Sequence, residues 1–167
     1  MKETEERYGE EARLLWGNGE WDNEPDKVQY VSVATGYPCL IVRNYSGALC
    51  GYVGVPEGHV WHGVGYDDVP ADCHGGLTFS GKCQENGHIC HKVEPGEPDN
   101  VWWLGFDCSH GGDLVPAICK LYEDLGKGPH VGMGREDTYK NIAYVRREIA
   151  GIARQAVMAD MESWPRP

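Results

Sequence analysis

Cys39-Leu40-Ile41-Val42-Arg43-Asn44-Tyr45-Ser46-Gly47-Ala48-Leu49-Cys50-Gly51-Tyr52-Val53 is the stretch that decides the fold. Two apolar runs flank a polar break whose Ser46-Gly47 pair suits a hairpin, so they read as neighbouring antiparallel strands. Upstream, Val28-Gln29-Tyr30-Val31-Ser32-Val33 has the same β character, which extends the hairpin to a three-stranded meander. Cys39 and Cys50 fall inside these runs and read as small core residues.

Two later segments read as further strands. In the first, Asp72, His74, Gly76 and Thr78 alternate with Cys73, Gly75, Leu77 and Phe79; in the second, Val101, Trp103, Gly105 and Asp107 alternate with Trp102, Leu104, Phe106 and Cys108. Because strand side chains alternate faces, each segment has an apolar side and a side carrying acids and glycines, with Trp103 toward a cleft and Trp102 toward the core. A final helix over residues 138–161 carries the apolar stripe Ile142, Val145, Ile149, Ile152, Ala153 and Ala156, the signature of a helix laid on a sheet. Residues 3–16 read as a short helix stopped by Gly17-Asn18-Gly19, and residues 114–125 as another. The expectation is one α+β domain over residues 1–167: an antiparallel β-sheet with the long C-terminal helix packed on one face and a short N-terminal helix.

The 167 residues, 41% of them hydrophobic and including six Trp and nine Tyr, suffice for one core. A net charge of −11, from 26 acidic and 15 basic residues, argues against duplex nucleic acid and anionic membranes as partners. A small anionic ligand would need a local cluster of donors such as His, backbone amides or Arg43. The chain starts Met-Lys-Glu-Thr-Glu-Glu, with no signal-like apolar stretch, so a cytoplasmic protein with mainly reduced thiols is expected.

Chemistry concentrates in Asp72-Cys73-His74-Gly75-Gly76-Leu77-Thr78 and Asp107-Cys108-Ser109-His110-Gly111-Gly112-Asp113. Two histidines can exchange protons around a scissile phosphoester near neutral pH. His74 and His110 are the natural pair, with Thr78 donating to a phosphoryl oxygen and Asp107 or Asp113 orienting an imidazole. Gly75, Gly76, Gly111 and Gly112 leave room for a ligand and offer backbone amides to phosphate. His59, Trp61 and Tyr66, in the Gly-rich segment 56–70, and Trp103 complete the candidate substrate-binding set, the aromatics stacking on a base. The outline resembles two-histidine phosphoesterases with His-x-Thr pairs, although the spacing here is His-x-x-x-Thr and His-x-x-Asp.

That reading requires no cofactor. Zinc is the alternative, held by His74, His110 and a carboxylate with water in the fourth position. A separate structural metal could sit on Cys83, His88, Cys90 and His91. Cysteine nucleophiles at Cys73 or Cys108 are a further option, weakened for Cys73 because a strand turns it away from His74.

The run from Val101 to Leu114, with His74-Gly75-Gly76-Leu77-Thr78 before it and residues 139–149 after it, resembles a family of small uncharacterised proteins of bacteria and their phages. The resemblance spans roughly residues 37–155 and implies no catalytic assignment. A phage association would imply counter-defence, by destroying or sequestering a nucleotide immune signal. The leading expectation is thus a small cytoplasmic phosphoester hydrolase acting on a nucleotide or cyclic nucleotide. The alternative is a non-catalytic protein that sequesters such a ligand, and a third reading is an acidic mimic that inhibits a host protein. A homo-oligomer completing the site across a dimer is compatible with each.

Overall fold

The computed structural model describes residues 3–83, 89–97, 99–127 and 137–163. Six strands, β1 (Thr4–Glu6), β2 (Lys27–Val31), β3 (Pro38–Arg43), β4 (Leu49–Pro56), β5 (Phe79–Lys82) and β6 (Val101–Asp107), form one sheet in the order β1-β2-β3-β4-β6-β5. Every pairing is antiparallel. The β3–β4 hairpin closes at Arg43 opposite Leu49. Asn44 holds its turn, the side-chain oxygen accepting from the Ser46 and Ala48 amides at 3.0 and 3.1 Å.

Three helices accompany the sheet: α1 (Glu10–Arg13), α2 (Pro116–Asp124) and α3 (Ile142–Ser163). The stripe Val145, Ile149, Ile152, Ala153 and Ala156 is buried, and α3 lies on Val28, Ile41, Leu49, Val53 and Phe106. Gly51 permits this approach: a Cβ there would meet the Phe106 ring at 2.6 Å and Val145 Cγ1 at 2.9 Å. The opposite face buries Leu40, Val42, Cys50, Tyr52, Val101 and Trp103, with Phe79 and Ile89 packed against them. The expected α+β architecture is therefore present, with the long helix on β3 and β4.

A buried polar network joins the N-terminal segment to this frame. Asp26 and Arg43 are both sealed from solvent, with Arg43 Nε donating to Asp26 Oδ1 at 2.7 Å. Arg13 Nη1 reaches both oxygens of Asp26, and the Tyr8 amide adds a further bond at 2.9 Å. Arg43 Nη1 also donates to the Gly47 carbonyl and to the Tyr139 hydroxyl, each at 2.8 Å. Tyr139 in turn donates to Glu24 at 2.6 Å, and the other oxygen of Glu24 accepts the Ile142 amide at 2.9 Å. One carboxylate–guanidinium pair thus links the chain start, the hairpin and the entry to α3.

Several local expectations need correction. Residues 3–16 do not form one helix; β1 and the four-residue α1 share them, because β1 pairs with β2 and satisfies its backbone there. The segment 72–79 is not a strand. A turn occupies 73–76, where the Gly76 amide donates to Cys73 O at 3.0 Å, and strand pairing starts only at Phe79. The last helix begins at Ile142, preceded by Asn141, whose side chain accepts the Tyr144 amide at 2.9 Å. Cys83 and Cys90 are joined as a disulfide with Cα atoms 4.8 Å apart, in place of the reduced or metal-ligating thiols expected. His88 lies outside the described residues, and His91 is buried against Trp103, ring centroids 5.2 Å apart. Among the described residues, no helix is long and apolar enough to cross a membrane.

Removing one partner of a buried ion pair leaves the other charge stranded, which costs about 3–5 kcal/mol. Asp26→Ala is expected to lower stability by that amount in urea unfolding. A loss below ~1 kcal/mol would show that Arg43 finds other partners.

Candidate functional site

Two turns bring the histidine motifs together beside the first turns of α3. In the 73–76 turn, Gly75 and Gly76 take φ of +66° and +86°, a region that side chains disfavour. The His74 amide donates to Glu148 Oε2 on α3 at 2.8 Å. The other motif leaves the end of β6 and turns back on itself, the Asp113 amide donating to His110 O at 3.0 Å. Thr138 pins that turn from the far side, donating to Gly112 O at 3.1 Å and accepting from the Leu114 amide at 3.0 Å.

Asp113 is the hub. Its side chain is 2% exposed, and Oδ2 accepts from His74 Nε2 at 2.8 Å and from the His110 amide at 2.9 Å. His110 Nδ1 lies 3.7 Å from the same oxygen, buried and without a hydrogen-bond partner. Lys140 Nζ stands 3.4 Å from Oδ1. The two imidazole centroids are 5.4 Å apart, so His74 and His110 do converge. His110 rests on Gly75, where any Cβ would overlap its ring.

The two imidazoles are unequal. His74 uses both nitrogens, Nε2 on Asp113 and Nδ1 on the Tyr144 hydroxyl at 2.8 Å. A carboxylate only accepts, so in neutral His74 the Nε2 carries hydrogen and Nδ1 accepts from the phenol. The result is a relay, Tyr144 to His74 to Asp113. His110 is more open, its side chain one-third exposed, although its Nδ1 is buried. Burial, and then the nearby Glu148, raises the Tyr144 pKa, so the hydroxyl keeps its proton through neutral pH. Lys140 Nζ and Arg147 Cζ each lie 5.4 Å from the centre of its ring. They give an acidic chain a local cationic flank.

The other expected residues divide sharply. Thr78 and Asp107 meet each other, Thr78 Oγ1 donating to Asp107 at 3.0 Å, while the second Asp107 oxygen accepts the Ser109 amide at 3.0 Å. Asp113, not Asp107, orients an imidazole. Gly76 spends its amide on the turn, and Gly112 takes φ of +96°, its carbonyl used by Thr138, while Gly111 sits in the same turn.

The expected aromatic wall is absent from the cluster. His59 is a core residue, accepting from the Trp61 amide at 2.9 Å and bonding Ala156 O at 3.0 Å, and Trp61 is buried beside it. Trp103 is fully buried on the sheet face away from α3, whereas Trp102 is half-buried and bonds Val64 O at 2.9 Å. Tyr66 stays at the surface in the short turn Tyr66–Asp68, its amide bonded to Ser80. A cavity of about 680 Å³ among Tyr8, Trp16, Tyr45 and Tyr52 lies on the Trp103 side and includes none of the cluster.

Tyr144, Lys140 and Glu148 escaped the sequence reading, which attended to the apolar stripe of α3. The spacing of four between Tyr144 and Glu148 was a usable signal, since such residues share a helical face; Lys140 lies just ahead of the helix. Cysteine chemistry finds no support in the geometry. Burial, with Glu148 and Asp72 nearby, pushes the Cys73 thiol up to about 12, and burial raises Cys108 as well.

The native protein is expected to resist iodoacetamide at Cys73 and Cys108 at pH 8 and to react once unfolded; rapid native labelling would mark an activated thiol. Gly75→Ala is expected to shift the ring resonances of His110 by NMR, and an unchanged spectrum would show that the ring does not rest on that residue. Comparison with protein-family models, curated proteins and solved structures finds no match to this chain.

Proposed function

We propose that the protein is a phosphoester hydrolase acting on a small nucleotide or cyclic nucleotide. One observation carries the reading: a single buried carboxylate, Asp113, holds the His74 imidazole and the His110 backbone amide, so that the two imidazoles stand side by side next to the Tyr144 phenol. Hydrolysis of a phosphoester needs a base for water and an acid for the departing oxygen. His110, the open imidazole, takes the water proton at Nε2 as the water oxygen bonds to phosphorus. Tyr144 gives its proton to the leaving alkoxide as the ester P–O bond breaks. His74, held on Asp113, positions that phenol through Nδ1 and releases the hydrogen bond as the proton moves to the leaving oxygen, while Lys140 and Arg147 beside the ring offset the charge left on it. The His110 proton passes to solvent, Tyr144 is reprotonated, and the site returns to its starting state.

Lys140 and Arg147 supply the positive potential that a chain of net charge −11 otherwise withholds from an anion. The nucleoside portion of the substrate is the part suggested by the resemblance to phage and bacterial proteins, and Trp61 and Trp103 do not stack on it, being buried. Sequestration without turnover is the second reading. It is favoured by one feature, the engagement of both His74 nitrogens.

The test is incubation of purified protein with cyclic dinucleotides, linear dinucleotides and cyclic mononucleotides, with chromatography of the products. Conversion of at least one substrate is expected, with His110→Ala and Tyr144→Phe each slower by about 100-fold or more. Recovery of intact ligand in stoichiometric amount, without product, would replace hydrolysis by sequestration.

A further inference from the structure

We infer that His74, His110 and Asp113 form a binding site for one divalent transition-metal ion of the zinc class, with a coordination position left for water. The inference builds on the reading of this cluster as the functional site, but it needs only the ligands and not the reaction.

The donor set is the first argument. One atom from each of the three residues lies within 4.8 Å of the other two. Two imidazoles and a carboxylate, with no further ligand group among the described residues, is the composition of catalytic zinc centres rather than structural ones. Ligand atoms on a tetrahedral zinc stand about 3.3 Å apart when each is ~2.05 Å from the metal. The observed separations from Asp113 Oδ2, 2.8 Å to His74 Nε2 and 3.7 Å to His110 Nδ1, fall on either side of that value. The two imidazole nitrogens lie within 4.8 Å of each other, so side-chain movement must bring all three separations to that value on binding.

The second argument is the orphan. His110 Nδ1 is buried and has no hydrogen-bond partner, a state that proteins rarely leave unanswered. It faces the carboxylate oxygen that already binds His74. A cation between the three atoms satisfies it at once.

The surrounding groups fit the same role. Metal-bound imidazoles use their second nitrogen on an outer partner that fixes tautomer and orientation. His74 has that partner in Tyr144, at 2.8 Å from Nδ1. On metal binding His74 changes tautomer: Nε2 loses its proton to solvent, Nδ1 takes one up from solvent, the Nε2–metal bond replaces the bond to Asp113, and the Nδ1–H then donates to the phenol oxygen. The His110 amide also fixes the ligating oxygen of Asp113, at 2.9 Å. One group opposes a cation: Lys140 Nζ, 3.4 Å from Asp113 Oδ1. Its repulsion lowers the affinity, so removing its charge strengthens binding.

The experiment is calorimetric titration of chelator-treated protein with zinc chloride, paired with the visible spectrum of the cobalt(II) form. Wild type is expected to take one equivalent, with cobalt bands of four- or five-coordinate intensity and no thiolate charge-transfer band. His110→Ala and Asp113→Asn should lose that equivalent while circular dichroism shows the fold retained. Tyr144→Phe should bind about tenfold more weakly, and Lys140→Met more tightly. Absence of a stoichiometric event in wild type overturns the inference, as does equal binding by His110→Ala or a cobalt–thiolate band. The two proposals fail separately. Zinc binding without cleavage of any phosphoester removes the hydrolase and leaves the metal site; cleavage by a protein that takes up no stoichiometric zinc removes the metal site and leaves the hydrolase.

Discussion

The ion pair between Asp26 and Arg43 is the constraint from which the rest of the arrangement follows. Both groups are sealed from solvent, so neither charge is tolerable without the other and without the hydrogen bonds that complete them. Those bonds come from Arg13, Tyr8, Gly47 and Tyr139, four points distant in sequence. Satisfying one buried carboxylate therefore places the N-terminal segment on the sheet and sets where the chain enters α3. Tyr139 adjoins Lys140, and α3 carries Tyr144 and Glu148, so the same bonds deliver the groups that meet His74.

A second carboxylate organises the functional end. Asp113 performs for the site what Asp26 performs for the frame, and the difference is solvent. Around Asp26 the partners are enclosed, and the network is stabilising and chemically silent. Around Asp113 one partner, His110, is one-third exposed, and a buried nitrogen lacks a mate. Incomplete satisfaction next to an opening is the property expected of a place that receives a guest. The parallel bridge between Asp113 and Thr138 ties the two regions by a few peptide bonds, so the geometry at the imidazoles is linked to the packing of α3.

Much of the architecture was legible because it depends on periodicity. The hairpin 39–53 and strand β6 are apolar runs buried on both faces, and α3 repeats apolar residues at helical spacing along its buried side. The convergence of His74 and His110 was also legible from their matching acid–glycine surroundings. The failures share a cause. Residues 72–79 alternate like a strand, but two glycines with positive φ turn the chain there, and alternation alone carries no information about hydrogen-bond partners. The faces of β6 were assigned correctly as opposites. Which tryptophan stayed accessible depended on the chain around Ile89 and His91, which covers Trp103, and no local pattern announces where such a segment lies.

By itself, the sequence determined the β3–β4 hairpin, strand β6, the long helix with its buried stripe and the residue types available for chemistry, since these follow from local sterics and from hydrophobic spacing. Tertiary structure alone decided the partners: that Asp113 rather than Asp107 serves the imidazoles, that Tyr144 closes a relay with His74, and that His59, Trp61 and Trp103 belong to the core. The reason is physical. A hydrogen bond or an ion pair is set by distances of about 3 Å between groups up to tens of residues apart, and only the folded chain brings such groups to those distances.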